Sequence, residues 1–279
     1  MPMLDSQPGL IDALKGEMTP KFLATITVDG VPNVVPVTSI MPAGDAPDRL
    51  IFGNFLLRKS VDNLDANPRL GILVITQDLE GWVLQGDFQG WQRAGAYVDK
   101  LNSTDLLRYN AYTGIRNAGI IEVRAVLAHG KISKLEVLRD YVLARLARRP
   151  VVSQEAVALP APARQRFAAM TKVSVVAYVG QAIGFPAAAP GYPIVAPVLS
   201  LQPAGGSALV CAAGRAAGLL AGLSAGAPVA ANLLTMDVVS FQVRGRWLGV
   251  WRRLGVRLGA MSVMEVYAGG PPMPGRRIA

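Results

Sequence analysis

Residues 51–86 read IFGNFLLRKSVDNLDANPRLGILVITQDLEGWVLQG, and the rest of the chain is organised around them. An apolar strand ends at Gly53-Asn54, and a short loop delivers Arg58, Lys59 and Ser60 to the start of a helix predicted over Ser60–Ala66. Proline disfavours helical geometry in the residue before it, so this helix stops at Asn67-Pro68. A strand from Leu70 to Thr76 follows, then a polar turn at Gln77-Asp78 and a further strand from Gly81. Two cations, a hydroxyl and the N–H groups of a helix start, gathered at one point, suit an anion and above all a phosphate. Taken alone, the triplet Arg58-Lys59-Ser60 reads equally well as a solvated basic turn.

The flanking sequence is rich in short strands. Leu10 to Gly16 is a short helix, and Phe22 to Val28 is a strand turned at Asp29-Gly30 onto a hairpin partner, Pro32 to Ile40. Leu50 to Gly53, Leu70 to Thr76 and Gly81 to Gln89 complete five strands, a helical stretch covers Ala94 to Asn110, and Ile120 to His129 adds a sixth strand. Strands at this spacing, with glycine and proline between them, predict an antiparallel barrel. Glu136 to Arg148 reads as a helix with an apolar stripe of Leu138, Tyr141, Val142 and Leu146. A looser segment through Pro150 and LPAPA (159–163) connects it to the second half of the chain.

That second half repeats the first. YPIVAPVLSLQPAG (192–205) lies on VPNVVPVTSIMPAG (31–44) with eight identities in fourteen positions. TMDVVSFQVRGRWLG (235–249) lies on TQDLEGWVLQGDFQG (76–90), pairing Asp237 with Asp78, Phe241 with Trp82 and Gly245 with Gly86, and MEVY (264–267) lies on IEVR (121–124). Three collinear matches point to two copies of one barrel. Between the matched strands the second copy has CAAGRAAGLLAGLSAGAP, where Lys59 and Ser60 have no counterpart and Arg215 is the only cation.

The order Gly53-Asn54, Arg58-Lys59-Ser60, Asn67-Pro68-Arg69, an apolar strand, and a strand closing on Gly86 resembles the FMN-binding split-barrel family typified by pyridoxamine 5'-phosphate oxidase. The resemblance extends upstream through residues 22–39 and covers about the first 125 residues. It implies a mainly β fold with short helices: two split barrels, residues 1–150 and 151–279, fused as an internal pseudo-dimer. It further implies noncovalent FMN, with the phosphate against Arg58, Lys59 and Ser60 and with Asn54 beside them. Asn33, Val37, Thr38 and Ser39 would run along the ring, with Trp82 and Gln85 close by. One flavin would lie between the copies, in a monomeric pseudo-dimer or a homodimer. F420 and haem are the alternative cofactors, and a non-enzymatic role in sensing, storage or assembly is the alternative to an oxidoreductase. Two departures argue against a true pyridoxamine 5'-phosphate oxidase. The family's oxidase has an arginine near the position of Asn33, and its C-terminal substrate-binding segment has no match in PPMPGRRIA. No catalytic acid or base is assigned, and the substrate and electron donor stay open.

Composition bounds these readings. Half of the 279 residues are hydrophobic and 17% are charged, which excludes a disordered chain. A single cysteine, Cys211, and an N-terminus, MPMLDSQPGL, without a basic region point to a reducing, cytoplasmic setting. Gly206 to Met236 is apolar, but Arg215, Pro228 and Asn232 interrupt it, so no membrane span is expected. Gly222-Leu-Ser224-Ala-Gly226 matches a nucleophile-elbow pattern, yet the only histidine, His129, precedes it, and the same scarcity argues against a protein metal site.

The net charge of +9 sits almost wholly in residues 151–279, with 11 Lys and Arg against 3 Asp and Glu. Five arginines and two tryptophans interleave over Arg244–Arg257, a mix that nucleic acid can use. Core packing of Trp247 is the simpler account, and no nucleic-acid partner is expected. Alternation places Arg244 and Arg246 on one strand face, opposite Phe241, Val243, Gly245 and Trp247. The expectation is that these two arginines, with Arg252 or Arg253, border the cofactor and attract an anionic substrate or donor.

Overall fold

A computed structural model describes residues 2–104, 115–147, 155–180, 185–214, 217–235, 239–253, 255–270 and 273–279. Arg215 and Asp237, the C-terminal part of the helix expected over Ala94–Asn110, and the Pro150 end of the connection lie outside the described residues.

The first half forms one antiparallel sheet from β1 (Lys21–Ile26), β2 (Pro32–Pro36), β3 (Met41–Pro42), β4 (Arg49–Gly53), β5 (Arg69–Ile75), β6 (Glu80–Gln92) and β7 (Ala118–Lys131), in the order β2-β1-β5-β6-β7-β4-β3. Gly30, at a φ of +77°, makes the turn between β1 and β2, which pairs Thr25 with Asn33. The helix of residues Lys59–Ala66 ends at Asn67 in extended geometry, as Pro68 requires. The sheet curls around a core that includes Leu14, Leu23, Phe52, Ile72, Trp82 and Leu84.

The second half contains β8 (Val173–Val179), β9 (Pro193–Pro197), β10 (Gln202–Pro203), β11 (Ala208–Ala212), β12 (Pro228–Leu234), β13 (Ser240–Arg253) and β14 (Val256–Ser262), in the order β9-β8-β12-β13-β14-β11-β10. This is the first order again, strand for strand. Two further strands, β15 (Glu265–Gly270) and β16 (Met273–Arg277), extend it, with β15 on β13. The chain is thus mainly β with short helices, in two antiparallel sheets.

Pairing registers align the halves residue by residue. Ala24 faces Val34 and Gly71, with Gly71 on Gln85, and Ala177 faces Val195 and Ala230, with Ala230 on Arg244, in agreement with the first two sequence matches. The third match shifts by three residues. Leu50 faces Ile121 and its counterpart Leu209 faces Met261, so Ile121 corresponds to Met261 and not to Met264.

The helix expected over Glu136–Arg148 is found at Lys134–Ala147, but rotated. Leu138, Val142 and Leu146 are exposed, while Tyr141 and Ala144 are buried. Ala144 packs with Ala208, Val210, Ala212 and Ala260.

The halves share one core. Phe22, Ala24, Val34 and Leu73 pack in the same cluster as Val175, Ala177 and Val195. Apolar burial on this scale makes a fixed seam rather than a hinge between independent units.

Candidate functional site

The site is built on that seam, from side chains on the sheet faces that meet there. From the first half, the helix begins at Lys59, which turns Ser60 inward against β1 and β2. The buried Asn33 amide donates to Ser60 Oγ (3.1 Å) and reaches Thr25 Oγ1 at 3.4 Å. Asn63, one helical turn on, donates to the same Thr25 oxygen (2.9 Å).

The second half supplies the opposite wall. Phe241, Val243 and Trp247 fill the barrel interior, so alternation turns Gln242 and Arg244 toward the first half. Lys59 Nζ donates to Gln242 Oε1 (2.8 Å), and Gln242 Nε2 donates to Asn33 Oδ1 (2.9 Å) and Val34 O (3.0 Å). Arg244 Nη2 donates to Asn33 Oδ1 as well (3.2 Å). Strand β15 pairs Tyr267 with Gln242 and Glu265 with Arg244, which puts the Tyr267 ring beneath Lys59 Nζ, 3.1 Å from its centroid.

Two partly buried cations are therefore held close together. Burial, then the nearby Arg244 guanidinium, push the Lys59 ammonium down to about 7, and Glu265 only partly offsets this. Arg244 Nε is buried without a partner. A site with this excess of partly buried positive charge is suited to an anion.

The remaining expected residues fall in several places. Arg58 is exposed at the residue before the helix. Arg246 is exposed and donates to Gly226 O (3.1 Å), away from Asn33, and Arg252 is exposed; the Arg253 side chain is not among those described. Trp82 does not face the seam: it is fully buried in the first-half core, with the His129 ring stacked on it at 4.9 Å. Val37 is buried in the same core, and Thr38 O accepts from the buried Lys21 Nζ (2.9 Å). Ser39 Oγ accepts from Gly53 N (3.0 Å), as Ser200 Oγ does from Ala212 N (3.0 Å) in the second half. The backbone N–H of Asn54 donates to Asn117 O (3.0 Å), while its Oδ1 is buried without a partner. Gln85 Oε1 accepts from Ala189 N (2.9 Å) across the seam.

Sequence reasoning does not single out Thr25, Asn63, Gln242, Glu265 or Tyr267. Gln242 is within its reach, because it shares the strand face that picks out Arg244. Tyr267 and Glu265 lie inside the match whose register is off by three.

The pseudo-equivalent site has a different character. By the pairing registers, Tyr178 replaces Thr25, Ile194 replaces Asn33, and Val83, Gln85, Ala125 and Ala128 replace Gln242, Arg244, Glu265 and Tyr267. No charged side chain stands at any of these six positions. The segment before β9 covers the region, with the Tyr192 hydroxyl donating to Asp87 Oδ1 (2.7 Å) and the Tyr178 hydroxyl donating to Leu219 O.

Among the described residues, no group of three His, Cys, Asp or Glu could hold a metal ion, and no helix is long and apolar enough to cross a membrane. Burial pushes the Cys211 thiol up to about 12, which leaves it unreactive.

No protein-family model matches the chain, and no curated protein matches it. Several solved structures do. An FMN-binding protein from Syntrophomonas wolfei is 15% identical with a TM-score of 0.39, covering 47% of this chain and 88% of its own. A structure described as an F420 reductase is 24% identical with a TM-score of 0.33, covering 45% and 100%. The haem storage protein HutZ from Vibrio cholerae is 12% identical with a TM-score of 0.35, covering 47% and 97%.

Proposed function

We propose that this chain is a tandem pair of split barrels, residues 1–150 and 151–279, that binds one FMN at the seam and serves as a flavin-dependent oxidoreductase. The observation that carries the reading is the approach of Lys59, bonded to Gln242, and Arg244, bonded to Asn33, from opposite halves, with a buried guanidinium nitrogen still unpartnered. A phosphate satisfies that nitrogen and offsets both partly buried charges. Lys59, Ser60, Asn33 and Arg244 would hold it, with Arg58 at the exposed rim. The family's arginine near position 33 is absent, and Arg244 brings a guanidinium to Asn33 from the second half.

When bound, FMN supplies hydride and electron transfer through its ring. The protein's own residues bind and orient. Asn33 is fixed from both sides by Ser60 and Gln242, and Lys21 holds the Thr38 carbonyl along the segment that would border the ring. The Lys59 ammonium is held by Tyr267 and Gln242 before any ligand arrives, which lowers the entropic cost of binding.

The test is the absorbance spectrum of the purified protein, followed by FMN titration read by flavin fluorescence. Saturable FMN binding with bleaching by NADH or NADPH supports an oxidoreductase. Bound FMN that no donor reduces supports a non-enzymatic carrier, and a Soret band with no flavin affinity rejects FMN in favour of haem.

A further inference from the structure

The seam site has more positive charge than it neutralises. Lys59 faces Gln242 and Arg244 on β13 and Glu265 and Tyr267 on β15, with Asn33 of β2 alongside. Arg58, just before its helix, and Asp62, on it, are exposed to water. Glu265 is the single carboxylate of this group among the described residues, and it is shared among Arg244, Tyr267 and Arg277. Its Oε1 is 3.1 Å from Arg277 Nη1 on β16, and its Oε2 accepts from the Tyr267 hydroxyl (2.9 Å). Arg244 Nη1 stands 3.7 Å from Glu265, too far for a hydrogen bond.

We propose that this site takes a phosphomonoester in its dianionic form, and that Lys59 gains a proton from solvent as the dianion enters. The proposal rests on the cofactor reading of the same site and adds to it a ligand charge and a proton stoichiometry. Without a ligand, burial and Arg244 both oppose the charged ammonium, so near pH 7 Lys59 is poised between its two forms. A dianion beside it reverses the balance, because attraction now outweighs desolvation. Binding above pH 7 therefore carries a proton in with the ligand. A phosphodiester, with one negative charge, offsets only one of the two cations and is bound more weakly.

The experiment titrates FMN into the purified chain at pH 7, 8 and 9, where its phosphate, with a second ionisation at about 6, is already dianionic. Calorimetry at pH 8 in two buffers of different ionisation enthalpy counts protons, and riboflavin serves as the phosphate-free control. The expected result is a Kd for FMN that rises about tenfold or more from pH 7 to 9, with close to one proton taken up at pH 8. Riboflavin should show neither effect, and Lys59→Arg should bind FMN with a flat profile. The buffer comparison on the unmodified protein stands even if that variant fails to fold. Tight FMN binding with a flat profile and equal heats overturns proton uptake and leaves the cofactor reading intact. If FMN does not bind at any pH, the cofactor reading falls, and inorganic phosphate in the same calorimetry decides the inference. Uptake of a proton with phosphate then upholds it, and no binding or no uptake overturns it.

Discussion

Gly71 in β5 and Pro193 in β9 meet backbone to backbone across the seam: a Cβ on Gly71 would stand 2.4 Å from the Pro193 carbonyl oxygen. Only a residue without a side chain allows β9 to pass this close. The contact lies one strand from Gln85, which pairs with Gly71 and is itself bonded across the seam. Gly71→Ala should therefore destabilise the chain by about 1–3 kcal/mol, as overpacking of a dense interior does. Urea unfolding measures this, and an unchanged midpoint would mean that β9 shifts freely.

The cradle makes a selective prediction about three cations. Lys59→Ala and Arg244→Ala should each weaken FMN binding by about 1.5–3 kcal/mol, the range for a hydrogen bond to a charged group. Arg246→Ala should leave affinity unchanged, because its guanidinium lies on Gly226 O. Equal losses in all three variants would indicate a diffuse field rather than a site.

One flavin per chain is expected. Ile194 and Tyr178 stand where Asn33 and Thr25 stand in the first half, and an apolar side chain cannot orient a phosphate. Flavin extracted from saturated protein, quantified against protein concentration, gives the ratio. A value near two would show that the second position binds without a polar cradle.

Stability should rise with pH between about 7.5 and 9. Burial pushes the ammonium groups of Lys21 and Lys172 down to about 8, below their value in the unfolded chain. Above pH 8 the unfolded chain then binds more protons than the folded one, so raising the pH favours folding. The gain is bounded above pH 9, where Cys211, pushed up to about 12 by burial, ionises first in the unfolded chain and works the other way. Unfolding midpoints at pH 7.5, 8.25 and 9 test the sign. Lys21→Met should reduce the slope, and a flat profile in the unmodified chain would refute the account.

Local features of the chain are legible in its sequence because a few adjacent residues decide them. Pro68 ends the helix after Ala66, Gly30 turns β1 onto β2, and period-two alternation gives the inward set of Phe241, Val243 and Trp247. The first two internal matches agree with the pairing registers because each spans fourteen or more residues. The four-residue match of MEVY to IEVR misplaces the register by three, since so short a segment cannot fix its own pairing.

By itself, the sequence determined the succession of strands along the first half, the helix start that presents Lys59 and Ser60, and the likeness of its two halves. Those properties arise from local sterics and hydrophobic period. Only the tertiary structure decided which charges meet. Lys59 and Gln242 are 183 residues apart and bond across the seam, while Arg246, two positions from Arg244 on the same face, turns to Gly226. It likewise decided that Trp82 fills a core instead of a site wall, and that Ala144 rather than Leu138 is the buried face of its helix. The physical reason is the same in each case: a side chain's partner depends on which surface is opposed to it, and that is fixed only when the two sheets pack.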